Sequence, residues 1–71
     1  MKAIVITTGN RDMLIGRYNI DNKDEQLPLG YILIADFGND DTFEVVTPAL
    51  FTQTFTKVTD IENGFFSISR K

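Results

Sequence analysis

LGYILIADFGNDDTFEVVTPALFTQTFTKV, Leu29 to Val58, is the stretch whose reading decides the fold. Gly30 to Phe37 (GYILIADF) reads as a strand, with Tyr31, Leu33 and Ala35 pointing one way and Ile32, Ile34 and Asp36 the other. Gly38-Asn39-Asp40-Asp41 follows as a turn cluster, each residue suited to turn conformations. Thr42 to Val46 (TFEVV) then returns antiparallel, with Phe43 and Val45 on one face, across a connection of hairpin length. Thr47-Pro48 reads as a helix start: Thr47 can accept a hydrogen bond at the N-cap, and Pro48 fits the first helical position. Leu50, Phe51 and Phe55 stand at helical spacing and turn one face of that helix into the core. The β-branched Thr52, Thr54 and Thr56 weaken its continuation, so the helix is expected to end near Thr54 and Phe55 to Ile61 to return to strand.

Toward the C-terminus, Glu62-Asn63-Gly64 holds an Asn-Gly pair, the best short hairpin signal in the chain. Phe65 to Ser69 alternates after it, with Phe66 and Ile68 sharing a face, and Arg70-Lys71 is a basic tail. Toward the N-terminus, Lys2 to Thr8 (KAIVITT) is rich in β-branched residues and reads as a strand covered on both sides, with Ile4 and Ile6 on one face. Gly9-Asn10 ends it. Arg11 to Ile20 (RDMLIGRYNI) reads as a hairpin return strand with Gly16 at a bulge, and a short helix is the alternative. Asp21 to Gln26 is polar and reads as the least ordered loop, closed by Leu27-Pro28, where Pro28 restrains Leu27 to an extended conformation. The sum is a mainly β fold with one short helix: a small antiparallel barrel or bent sheet of about six short strands.

The 71 residues make a single domain, 1–71. A chain this short buries only about 60% of its unfolded surface, so self-association is an expected source of stability and a homo-oligomer is the expected state. The absence of cysteine excludes disulfides and thiolate zinc sites, and the absence of histidine removes the commonest general base and metal ligand. Net charge is −3, and Lys2, Arg11, Arg17, Lys23, Lys57, Arg70 and Lys71 are scattered rather than clustered. Phosphate neutralisation supplies most of the affinity of a nucleic-acid binder, so this balance argues against nucleic acid as a partner. No apolar run approaches the roughly 20 residues that span a bilayer, and MKAIVITTGN lacks the pattern of a signal peptide. No membrane partner and a cytoplasmic location are expected.

Thr7-Thr8-Gly9-Asn10-Arg11 has the residue types of an anion cradle, in which successive backbone N–H groups form a nest for phosphate. It lacks the spacing of a P-loop, and a plain hairpin turn is the other reading. Arg17, Tyr18 and Tyr31 combine cationic and aromatic faces suited to a nucleobase and its phosphate, against the plainer reading of core aromatics. Lys57 is a further candidate for a ligand phosphate. Asp36, Asp40 and Asp41 lack calcium-loop spacing and read as a solvated turn. Ser67 and Ser69 have no activating partner, and Glu44 is the one acid inside an apolar strand. No catalytic residue, metal ligand or cofactor is expected.

Gly30-Tyr31-Ile32-Leu33, the Gly38 to Asp41 turn, Phe43-Glu44-Val45-Val46-Thr47-Pro48, and then Phe51, Phe55 and Val58 form a pattern of their own. Over about 30 residues it resembles a group of small, uncharacterised bacteriophage and prophage proteins, with Tyr31 standing where that group often has an acid. The resemblance implies a phage origin and a small β-rich fold. In size, in its lack of catalytic residues and in its expected self-association, the chain is also similar to phage anti-defence sponges (anti-Thoeris and anti-CBASS), which sequester cyclic-nucleotide immune signals between subunits. By that analogy the expected ligand is a cyclic nucleotide or a cyclic ADP-ribose-type molecule. It would be held without catalysis by Thr8, Gly9, Asn10, Arg11, Arg17 or Lys57, with Tyr18 or Tyr31 on the base. The alternatives are an inhibitor of a host defence enzyme, acting through an acidic surface or a sheet edge, and a structural phage module without a ligand.

Overall fold

The computed structural model describes every residue except Phe37, and describes Asn39 and Asp40 by their backbone alone. Among the described residues the elements run β1 (Lys2–Val5), α1 (Arg11–Tyr18), α2 (Lys23–Gln26), β2 (Ile32–Asp36), β3 (Asn39–Val46), α3 (Pro48–Thr54), β4 (Phe55–Glu62) and β5 (Phe65–Arg70). The fold is mainly β. Its five strands form one antiparallel sheet in the order β3-β2-β1-β5-β4. The sheet is open, with β3 and β4 as its edges, rather than a barrel.

The Leu29–Val58 reading matches the architecture closely. Ile32 pairs with Val46, Leu33 with Val45, Ile34 with Glu44 and Ala35 with Phe43. Strand β3 starts earlier than the expected Thr42, because Asp36 pairs with Asn39 across an irregularity that takes up three further residues of β3. Gly38 is in the left-handed region (φ 76) that a tight connection requires; Phe37, placed at the end of the expected strand, lies outside the described residues. Thr47 caps α3 by accepting the Leu50 N–H at 3.2 Å, with Pro48 in the first turn. Asn63 and Gly64 both take positive φ (55 and 85), as a two-residue hairpin with the twist of its flanking strands demands.

Three readings are corrected. Arg11 to Ile20 is not a return strand but holds α1. As a strand, Leu14 and Ile15 would face opposite ways; as a helix, Leu14 and Tyr18 lie one turn apart and cover Ile4, Ile6 and Leu33. Asn10 therefore stands at the N-cap position of a helix, without a side-chain capping bond, instead of turning a hairpin, with φ −108 rather than positive, and Asn19 takes the left-handed position at the C-cap (φ 55). Gly16, read as a bulge, sits on the exposed side of α1. Asp21 to Gln26 is not a bare loop, because the Gln26 Oε1 accepts from the N–H groups of Asp21 and Asn22 at 3.1 and 3.0 Å, which closes the single turn of α2. Leu50, expected in the core, is 49% exposed.

Each face of the sheet carries its own core. On the α1 face, Ile4, Ile6, Leu33, Ala35 and Phe65 meet Leu14, Tyr18, Ile20 and Leu27. On the other, Ala3, Ile32, Ile34, Phe66, Ile68 and Phe55 lie under α3, whose Phe51 stacks on Phe55 (5.5 Å) and meets Phe66 edge-on (5.9 Å). Because β3 and β4 are opposite edges, α3 is the link that crosses this face from one to the other. The accessible surface, 4413 Å², is that of an ordinary folded monomer of 8.0 kDa, about 4,450 Å², so compactness alone does not demand a second copy. Among the described residues no helix is long and apolar enough to cross a membrane.

Candidate functional site

The residues singled out from the sequence fall in three places. Thr8, Gly9 and Asn10 form the turn from β1 into α1, and its polar groups are engaged with one another. The Thr7 N–H donates to Asn10 Oδ1 at 3.0 Å, the Asn10 N–H to Thr7 Oγ1 at 3.2 Å, and Asn10 Nδ2 to the Val5 carbonyl at 2.8 Å. Arg11, next in the chain, is turned inward. Its Nε and Nη2 donate to the Leu27 carbonyl at 3.0 and 2.8 Å, and Nη2 also reaches the Lys23 carbonyl at 3.3 Å and Asp24 at 3.7 Å. These bonds pin the α2 segment to α1, a structural role for a charge only 17% exposed. Tyr31 lies at this end too, since its carbonyl accepts the Ile6 N–H at 2.8 Å, and the residue is 37% exposed.

Arg17 and Tyr18 sit at the far end of α1. The Tyr18 ring is buried, 5.2 Å from Phe43, so it serves the core. The Arg17 guanidinium lies 5.2 Å from the Phe65 ring and 5.9 Å from that of Tyr18. Lys57 is on the opposite sheet face, 5.0 Å over Phe66 and 2.6 Å from Asp60. The expected constellation is thus divided between the two ends of α1 and the two faces of the sheet.

Arg17 is met there by a residue that the sequence reading left aside. Lys2 is 7% exposed, in phase with Ile4 and Ile6 on the α1 face, and its ammonium lies 5.3 Å from the same Phe65 ring. A lysine in register with two core isoleucines was the available signal. Lys2 and Arg17 line a groove of about 220 Å³ with Phe65, Ile61, Glu62 and Asn63. The β4–β5 hairpin forms one wall and the last turn of α1 the other. Two cations on one aromatic ring attract an anion, most at the buried Lys2, where charge is less screened than in water, while the Glu62 carboxylate of the same lining opposes it. Lys2 and Arg17 each have a further partner within the chain, so an incoming anion shares or replaces it.

A second groove, of about 260 Å³, opens beside α3's face near Met1, Ile34, Asp36, Thr42, Glu44 and Arg70. Its lining sets two carboxylates, Asp36 and Glu44, beside the Arg70 guanidinium and Met1. Among the described residues no three acidic, histidine or cysteine side chains are placed to hold a metal ion. Ser67, weighed as a nucleophile, has another role. Its Oγ accepts the Thr59 N–H at 3.1 Å and donates to the Thr59 carbonyl at 3.2 Å, bridging the first irregularity of β4. Comparison with protein-family models, with curated proteins and with solved structures found no match.

Proposed function

We propose that this protein is a non-catalytic binding protein that captures a nucleotide-derived signalling molecule, as an accessory or anti-defence protein encoded by a bacteriophage and acting in the host cytoplasm. The observation that carries the proposal is the convergence of Lys2 and Arg17 on Phe65 in one groove, 5.3 and 5.2 Å from the ring. A phosphate entering it would share or replace the partners that Lys2 and Arg17 already have within the chain, beside the Glu62 carboxylate of the same lining. The phage setting rests on the resemblance of the Gly30–Val58 pattern, and self-association belongs to the same proposal.

Thermal-shift and calorimetric titration with cyclic oligonucleotides and cyclic ADP-ribose isomers is the test. A ligand held only by the folded state raises its stability by about 2.7 kcal/mol at a hundredfold excess over Kd. Absence of heat and of any melting shift across the whole panel would sink the proposal. Native mass spectrometry of protein purified from cells reports copy number and retained ligand together. The β3 edge favours one other reading: an edge strand bearing exposed Asp41 and Glu44 suits an acidic mimic that occupies a host enzyme's basic cleft. One stoichiometric host protein in a pull-down supports that reading instead.

A further inference from the structure

Resting on the β3-edge reading above and not on the Lys2–Arg17 groove, we infer that β3 is a strand-addition site. Its occupant is an extended peptide segment in which a lysine or arginine stands between two apolar residues. The two edges of the sheet differ. Strand β4 changes register twice, between Lys57 and Thr59 and between Asp60 and Glu62, and carries Lys57. Bulges and lysines are devices by which edge strands refuse a further strand. Strand β3 keeps one register from Phe43 to Val46, against Ala35 to Ile32, and its sequence NDDTFEVV holds no proline, lysine or arginine. Among the described residues, no main-chain hydrogen bond from outside the sheet reaches Phe43 to Val46. The backbone groups of such an edge that point away from its neighbour pair with an added strand.

The side chains on this edge set what that strand must carry. Glu44 pairs with Ile34, so it stands on the α3 face, exposed, and lines the groove of about 260 Å³ with Asp36. Among the described residues neither carboxylate forms an ion pair or a side-chain hydrogen bond. Arg70 shares the lining but belongs to β5, three strands in from the edge, or roughly 14 Å at the usual strand spacing. Met1 leads into β1, two strands in. A residue directly opposite Glu44 on an added strand comes within about 5 Å of it, Cβ to Cβ, so a cation there meets the carboxylate inside the screening length. On the other face Phe43 and Val45 are half-buried against the α1 core, and the neighbours of that cation come to rest beside them. Apolar residues at those two places extend the core. A second copy of β3 brings only acidic charge to the edge, so it is the poorer occupant.

The test uses disulfide-closed hairpin peptides whose free strand reads Thr-Val-Lys-Val-Thr or Thr-Val-Glu-Val-Thr, preorganised so that little ordering entropy opposes binding. Calorimetric titration into the wild type, Glu44→Gln and Glu44→Lys reads the affinities, and hydrogen exchange reads the location. The wild type is expected to hold the lysine peptide about fivefold more tightly than the glutamate peptide. Glu44→Gln should reduce that preference to about twofold or less, and Glu44→Lys should invert it. Both variants change an exposed side chain and are expected to melt with the wild type, which melting curves check. Bound peptide should slow exchange at amides within Thr42 to Val46 and leave β4 unchanged. A preference that neither variant alters, protection at β4 instead of β3, or no binding of either peptide overturns the proposal. So does a concentration-dependent dimer that already protects the β3 amides, since a second copy then fills the edge. A host protein retained through Glu44 without new protection at β3 keeps the acidic-edge reading and overturns strand addition. The anion groove stands or falls by its own titration.

Discussion

The two faces of the sheet are covered by helices of nearly equal length, yet they are packed very differently. All five large side chains that are fully buried among the described residues, Ile4, Ile6, Leu14, Leu27 and Leu33, lie on the α1 face. There α1 is reinforced by Ile20 and Leu27 from the segment after it, which Arg11 pins in place through the Leu27 carbonyl. On the other face α3 has no buried residue, Phe51 is half-buried, and Leu50 points outward. Cover comes from the Phe51, Phe55 and Phe66 rings and leaves an open groove beside Arg70. A seven-residue helix is marginal by itself, and its cap fixes where it starts, not how much it covers. Stability therefore gathers on the α1 face, and the candidate anion groove lies at that face's margin.

The sharpest way to break this comparison is a matched pair of truncations. Leu14→Ala leaves a cavity in a fully buried site and should cost about 3–4 kcal/mol in urea denaturation, enough to threaten a domain of this size. Phe51→Ala removes a half-buried ring and should cost about 1–2 kcal/mol. Equal losses from the two would show that both helices carry the fold alike.

A smaller effect is expected at the bulge. Ser67→Ala removes the hydroxyl that bridges the Thr59 N–H and carbonyl, for about 1 kcal/mol, and should speed hydrogen exchange at the Thr59 amide. Unchanged exchange there would mean that solvent replaces the hydroxyl without loss.

The smallest change goes the other way. Gly16 lies inside α1 without a positive φ, and a Cβ built on it meets nothing within 4 Å. Gly16→Ala should therefore stabilise by up to about 1 kcal/mol, or roughly 4–8 °C in Tm. A loss of stability would place an unseen contact on the outer side of α1.

Local chemistry made much of the fold legible. The alternation of Tyr31 to Asp36, the Thr47-Pro48 cap and the Asn63-Gly64 pair each specify a local geometry within a few residues, and each appears where the sequence put it. Arg11 to Ile20 was misread because its apolar run is short and interrupted by Gly16. Helix wins there through tertiary demand, since the Ile4 and Ile6 side of β1 needs a cover that Leu14 and Tyr18 supply only one helical turn apart. The site was less legible for a related reason: Arg11 and Tyr18 are absorbed by carbonyls and core, while Lys57 is carried to the opposite face.

By itself the sequence determined a mainly β fold, without cysteine or histidine, whose central hairpin, capped helix and Asn-Gly turn follow from residues close together in the chain. Only the tertiary structure decided which charges meet. Strand β5 enters the sheet beside β1, so Phe65 comes to lie between Lys2 and Arg17, and a one-residue bulge turns Glu62 toward them. Strand order and bulge register depend on packing between distant segments, and no local propensity encodes either.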